Sequence, residues 1–292
     1  MDPRNDFDTA NRQGVDVKRL WISAFLILLQ TGCANVERLA IPKAELVSPD
    51  FDAVGTASEP DHSAWDQFLK KYLSMGADGV GRIDYGRVSV EDVGALSRYI
   101  DTLSALEANR WSRPAQLAYW SNLYNATTVS VILENYPVDS IRQIKSGFFD
   151  LGPWDEKRLE VAGRSLSLHD IEHRIVRPLW MDTPEIHYLL NCAAVGCPSL
   201  VPYAYTAGNV EAALVDNARA FINNSRGVDV DDGGRLVLSK IFLWYQGDYG
   251  GTRQSVMNHL LKYADATTRD DIEAYQGSVR YVYDWYLNDV MP

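Results

Sequence analysis

Residues 186 to 199 read I-H-Y-L-L-N-C-A-A-V-G-C-P-S, placing one histidine, one asparagine and two cysteines within a dozen positions. Those residue types fit a disulfide, a metal site, or a thiol nucleophile with its base. The apolar run 186–191 is short and strand-like. On a strand, His187, Leu189 and Asn191 share one face, while Tyr188, Leu190 and Cys192 share the other. His187 and Cys192 would then point apart, and a base for Cys192 would come from elsewhere, with His173 the natural candidate. Gly196 permits a sharp turn and Pro198 suits the first turn of a helix. Cys197 would then sit near a helix N-cap, where the dipole lowers a thiol pKa. A bridge between Cys192 and Cys197 is open geometrically and depends on their Cα separation.

Three further strings carry polar chemistry. Residues 166–173, L-S-L-H-D-I-E-H, set His169 and His173 four apart with Glu172 beside the second. H-x-x-E-H is a zinc-enzyme pattern in which Glu acts as general base. Pro178 cuts the helix short, however, and an amphipathic helix with Ile171 and Ile175 inward is the stronger reading, so no metal is assigned. Residues 118–126, A-Y-W-S-N-L-Y-N-A, put Asn122 and Asn125 on one face of a helix that is apolar nearly all round. Buried amides need partners, so this pair either ties down neighbouring loops, the stronger reading, or lines a substrate site. Residues 241–251, I-F-L-W-Y-Q-G-D-Y-G-G, offer a wall with Trp244 and Tyr245 ahead of a flexible loop. Asp248 there could orient a histidine or serve as a turn aspartate.

The elements that must position these residues follow from periodicity and punctuation. Trp65, Phe68, Leu69, Tyr72 and Leu73 recur at helical spacing after Asp61 or Ser63. A second helix spans 90–107. Ser112 caps a long helix with Pro114 in its first turn, running to about Asn135. Residues 158–168 read as a hairpin around Gly163, and Ser167 with Asp170 forms a capping box that opens the next helix. Residues 206–223 are helical. The sequence D-D-G-G at 231–234 marks a hairpin over 227–238. Further helices run to the C-terminus, with Val282, Trp285 and Tyr286 on one face of the last. The expected fold is α+β: one helix-dominated domain over 61–292 with a few short antiparallel strands and hairpins. With 46% hydrophobic and 23% charged residues the composition is globular. A net charge of −11 makes nucleic acid a poor partner, because its phosphates require Lys and Arg.

The N-terminus carries an address. Lys18 and Arg19 precede the ten-residue apolar run Leu20–Leu29, which is too short to span a bilayer and reads as a secretory signal. Thr31-Gly32-Cys33 resembles the lipobox of bacterial lipoproteins, with Gln30 where Leu is usual. The resemblance implies cleavage before Cys33 and a lipid on its sulfur. Residues 1–32 are then a leader and 33–60 a tether. The protein is expected to be a periplasmic, membrane-anchored lipoprotein of the outer membrane. Four aspartates in 1–16 are wrong for a signal n-region, so translation is expected to start at Val15 or Val17. An oxidising compartment permits a bridge between the remaining two cysteines.

The strings 120–126, 167–173, 186–198 and 241–250, in this order, resemble the bacterial family catalogued as domain of unknown function 547, DUF547. Residues 204–207 and 218–223 fit as well, so the resemblance covers about Ala115 to Gly251. It implies that Cys192 is the more general cysteine, since plant members carry Ser-Pro where Cys197-Pro198 stands here. Cys197 would be a disulfide partner special to exported bacterial forms. Two functions follow as expectations. The first is a cysteine-dependent hydrolase or transferase acting on amide or thioester bonds. Cys192 would be the nucleophile, His173 or His187 the base, and Asp248 or Glu172 the orienting carboxylate. Asn122, Asn125 and Asn191 would stabilise an oxyanion, with Trp244 and Tyr245 against the substrate. The second is a non-catalytic binding lipoprotein with a structural Cys192–Cys197 disulfide. Expected partners are the membrane, through the lipid on Cys33, and an unidentified substrate or protein. No cofactor and no nucleic acid are called for.

Overall fold

A computed structural model describes residues 42–144 and 152–290. The leader, the basic pair and Cys33 lie outside the described residues. The centre is the helix Arg113–Asn135, which starts with Pro114 in its first turn and is buried without a break from Ala115 to Val129. Its rings and branched chains fill the main core, where Trp120, Leu123, Val131 and Ile132 are fully enclosed. Helices Ser63–Tyr72 and Val90–Ser104 pack against this core through Trp65, Leu69, Leu96 and Leu103. Ser89 caps the second of them by accepting from the Asp92 N–H. A second apolar cluster gathers helices Val210–Ile222 and Arg253–Tyr263 around Phe221, Phe242 and Leu260.

Strands are few and short, giving a helix-dominated α+β domain. Leu159–Val161 pairs antiparallel with Arg164–Leu166. Ala162 (φ 51°) and Gly163 (φ 70°) form the connecting turn, the double positive φ that a two-residue hairpin needs. Val228–Val230 pairs antiparallel with Leu236–Ser239, as the D-D-G-G turn implies.

Four expectations change. Residues 42–60, read as tether, join the packing from Pro42 on. Phe51 is buried, Val47 N–H donates to Arg174 O at 2.8 Å, and Gly55 N–H donates to Trp111 O at 3.0 Å. The C-terminal segment is not a helix: Arg280–Val282 is a strand parallel to Leu236–Ser239. Its aromatic and β-branched run, R-Y-V-Y-D-W-Y, favours extended chain. The segment 186–191 is not a strand but continues a 3-10 helix, Pro184–Tyr188. Pro184 fixes φ at its first turn, and a short apolar run carries no periodicity to oppose it. No helix begins at Cys197, so no helix dipole acts on its sulfur.

The chain from Glu185 to Asn191 is continuously buried although it forms neither α-helix nor strand. Its 3-10 bonds, Ile186 N–H to Thr183 O at 3.1 Å and Leu189 N–H to Ile186 O at 3.0 Å, satisfy part of the backbone, and side chains supply further partners. Asn125 accepts from Asn191 N–H at 2.8 Å and donates to Leu189 O at 2.9 Å. Asn122 does the same for Tyr205, accepting at 3.0 Å and donating at 2.8 Å. Asn217 donates to Tyr188 O at 3.1 Å. Both amides on the long helix are thus spent on neighbouring loops.

Asn122→Ala or Asn125→Ala should each destabilise the protein by about 2–5 kcal/mol, because each orphans one buried N–H and one buried C=O. Ser130→Ala, at an exposed contact to Glu134, should cost under about 0.5 kcal/mol. Urea unfolding measures both; equal effects would contradict the assignment.

Candidate functional site

Ser167 opens the element that supplies the site. Its hydroxyl accepts from the Asp170 N–H while Asp170 Oδ2 accepts from the Ser167 N–H, the expected capping box. The helix then runs Leu168–Ile171, widens into a π-turn at Glu172–Val176, and closes as Arg177–Leu179. The Arg177 N–H bonds Glu172 O, five residues back. Pro178, expected to end the helix, falls where the hydrogen-bond register reverts, so its missing donor is tolerated. Single π-turns concentrate at functional sites.

Arg177, Asp248 and His187 form a largely buried chain of polar side chains. Arg177 donates to both oxygens of Asp248, from Nε at 2.7 Å and Nη2 at 2.8 Å. His187 Nε2 lies 2.8 Å from Asp248 Oδ2. Burial raises the Asp248 pKa, but the hydrogen bonds from Arg177 and His187 outweigh it and hold the carboxyl well below its usual range. Asp248 is therefore ionised, and His187 donates to it through Nε2–H. The His187 ring stacks on Tyr245 at 3.9 Å.

His173 is fixed differently. Its Nδ1 is 3.3 Å from Arg177 Nη1. A guanidinium has only donors, so Nδ1 must accept and the imidazole proton sits on Nε2. Burial pushes the His173 pKa down to about 4; the positive charge of Arg177 adds to that and Glu172 opposes it. At neutral pH His173 is an uncharged N–H donor, and its Nδ1 lone pair is occupied. His169, beside it at a ring separation of 4.6 Å, faces Asp155 at 3.3 Å. Among the described residues no group of three or more His, Cys, Asp and Glu is placed to hold a metal ion.

Glu172 receives two tyrosine hydroxyls, Tyr245 at 2.5 Å and Tyr124 at 3.0 Å. Burial acts to raise its pKa, while positive charge on His173 or His187 and the hydroxyls of Tyr245 and Tyr124 act to lower it, and the lowering prevails. The same carboxylate, after burial, pushes up the pKa of the Tyr283 hydroxyl.

Cys192 and Cys197 form a disulfide with Cα atoms 6.3 Å apart. The Cys192 N–H donates to Cys197 Sγ at 3.0 Å, and the Tyr283 hydroxyl lies 3.1 and 3.0 Å from the two sulfurs. Among the described residues no histidine bonds to Cys192. Asn191 spends its amide inside the loop, donating to Pro198 O at 2.8 Å and accepting from Ala193 N–H at 2.9 Å. Arg226 Nη1 donates to Val195 O and Cys197 O, both at 2.8 Å. The C-terminal segment closes over the loop through Gly196 N–H to Asp284 O at 2.8 Å. A Cβ on Gly196 would meet Asp284 N at 2.7 Å, so close approach demands glycine.

Of the residues singled out in the sequence, Glu172, His173, His187, Asp248 and Tyr245 meet in one network. Asn122, Asn125 and Asn191 hold backbone, and Trp244 joins an aromatic cluster. Arg177, Tyr124 and Tyr283 complete the site and escaped the sequence reading. Arg177 had a signal, standing one helical turn after His173. Tyr124 lay inside the quoted 118–126 string. Tyr283 had none.

Residues 108–222 match the family model described as Protein of unknown function, DUF547, which supports the family read from the motifs. No curated protein and no solved structure gives a significant match.

His62, His173 and His259 are buried, and burial pushes each down from 6.5 to about 4. Unfolded imidazoles take a proton near 6.5 while the folded ones resist until about 4. Stability is therefore full above pH 6.5 and drains as pH falls toward 4, by on the order of 3 kcal/mol per histidine at most. Asp248 extends the loss below its ordinary 3.8. Urea midpoints across pH 7 to 4 should fall steadily; a flat profile would contradict the burial of these rings in neutral form.

Proposed function

We propose that this chain is an extracytoplasmic binding lipoprotein, tethered to the membrane by a lipid on Cys33, with Cys192–Cys197 as a structural disulfide. The observation that carries the reading is the sulfur environment. Cys192 Sγ faces Cys197 and the Tyr283 hydroxyl, no histidine among the described residues hydrogen-bonds to it, and the Nδ1 lone pair of His173 is taken by Arg177. A thiol nucleophile needs a base with a free lone pair within hydrogen-bond reach. The bridge also sits where the domain needs one: it closes the loop on which residues 284–288 dock. An oxidising compartment, expected from the leader, would keep it closed. In this reading the lipid on Cys33 supplies the membrane attachment.

The second reading, a cysteine hydrolase or transferase on amide or thioester bonds, draws on the partial exposure of Cys192, whose sulfur lies 3.1 Å from the Tyr283 hydroxyl. It requires the reduced protein. Iodoacetamide labelling of the full chain with peptide mapping separates the two. The binding reading expects no adduct on Cys192 or Cys197, even after denaturation, until a reductant is added. Rapid alkylation of Cys192 in the native, unreduced protein at neutral pH would overturn it.

A further inference from the structure

Residues 280–290 form a strap whose backbone is held in three places. At one end Arg280–Val282 pairs with Leu236–Ser239, and Lys240 N–H donates to Val282 O at 2.8 Å. At the other end Val290 N–H donates to Ile83 O at 3.1 Å, and Ile83 N–H donates to Asn288 O at 2.9 Å. The middle rests on the disulfide loop. Gly196 N–H donates to Asp284 O and Val195 N–H to Tyr286 O, both at 2.8 Å, and Asn288 N–H donates to Ala193 O at 3.1 Å. Ala193, Val195 and Gly196 all lie between the two bridged cysteines, so the bridge fixes the surface that receives the strap.

The loop carries two features that a passive staple does not require. Ala193, next to Cys192, is fully buried at φ 60°, in the left-handed region that side chains with a Cβ avoid. Such strain persists only while the surroundings impose it, and it concentrates in switch segments. The two sulfurs are also unequal. Cys192 is half-buried, whereas Cys197 is 2% exposed. A bridged sulfur has no hydrogen, so both polar contacts of Cys197 Sγ come from donors, the Cys192 N–H and the Tyr283 O–H, each at 3.0 Å. Among the described residues Cys192 Sγ has the Tyr283 hydroxyl alone, at 3.1 Å. Burial pushes the Tyr283 pKa up, so this hydroxyl keeps its proton. Tyr283 belongs to the strap itself.

We propose that Cys192–Cys197 is an exchange-active bridge, opened by a dithiol, that latches the strap onto the domain. The incoming thiolate attacks Cys192 Sγ, the S–S bond breaks, and its electron pair leaves on Cys197 Sγ. The Cys192 N–H and the Tyr283 hydroxyl stabilise that thiolate, and a stabilised leaving group departs faster. The dithiol's second thiolate then attacks the dithiol's own sulfur in the mixed disulfide, and Cys192 leaves as a thiolate. The dithiol ends as a disulfide, oxidised by two electrons, and its two protons end on the two cysteine sulfurs. With the bridge open, Ala193 is free to leave its strained conformation and the strap loses its central support. The inference goes beyond the binding reading and rests on its closed bridge.

The test uses the full chain, oxidised, at neutral pH without denaturant. Excess glutathione, a monothiol, followed by an early acid quench and peptide mapping, marks the attacked sulfur. Its adduct should fall on Cys192 at least about tenfold more often than on Cys197. After reduction with dithiothreitol, the N–H groups of Val195, Gly196 and Asn288 should exchange with deuterium at least about a hundredfold faster, while the centre of the helix Arg113–Asn135 keeps its protection. Tyr283→Phe keeps the ring and should slow opening by about three- to tenfold, the effect of one hydrogen bond. Adducts shared equally by the two sulfurs, unchanged exchange in the strap, loss of protection throughout the long helix, or an unaltered opening rate in Y283F would each overturn the proposal. If Y283F does not fold, the wild-type adduct position and exchange rates decide. A closed bridge that opens only on unfolding sinks the latch and leaves the binding reading standing. Free thiols in the unreduced protein sink the binding reading.

Discussion

Everything at the site depends on holding the irregular chain between residues 184 and 206, buried throughout from Glu185 to Asn191, against the core. A buried loop must find partners for its backbone, and unpaired groups cost about 1–3 kcal/mol each. Here the partners are side-chain amides. Asn125 pairs with Leu189 and Asn191, Asn122 with both backbone groups of Tyr205, and Asn191 closes the next turn. Each of the two helix amides acts as a short piece of sheet edge on the long central helix. Because that helix is enclosed from Ala115 to Val129, its position is set by the core and the loop inherits that position.

The remaining polar groups divide by what is left over once this scaffold is satisfied. Arg177, Asp248 and His187 saturate one another and pin the π-turn to the loop after Trp244. The disulfide loop, braced by Arg226, receives the C-terminal segment that carries Tyr283 and Trp285. Glu172 is held by the hydroxyls of Tyr124 and Tyr245, and the Nε2–H bond of His187 to Asp248 leaves its Nδ1 as an acceptor. The low-pKa histidines have the same origin, since burial without a carboxylate partner leaves an imidazole neutral.

Much of this was legible in the sequence. The long helix announced itself through Ser112, Pro114 and an apolar run too broad for a surface helix. Asn122 and Asn125 had to be paired because they were buried. Gly163 and the D-D-G-G turn marked two hairpins, while the antiparallel pair Leu73–Met75 and Gly81–Ile83 went unread, and Ser167 with Asp170 marked the start of the site helix. Short apolar runs were the weak point. Residues 186–191 carry no period that separates strand from helix, and Pro184 decided the matter from outside the run. The C-terminal aromatics were read with helical spacing, while their alternation suited a strand docking on Leu236–Ser239. The Arg177–Asp248 pair spans 71 positions, and no local pattern reports a contact at that distance. The disulfide rested on the resemblance and on the expected compartment, because spacing alone left it open.

The claim that side-chain amides hold the buried loop is most directly tested by native-state hydrogen exchange at the backbone N–H groups of Asn191 and Tyr205. Both donate to helix amides, at 2.8 and 3.0 Å. The account predicts that each exchanges only with global unfolding, as slowly as the centre of the long helix, and that Asn125→Ala accelerates Asn191 far more than Tyr205. Exchange of both at the rate of exposed loop amides in the wild-type protein would contradict it.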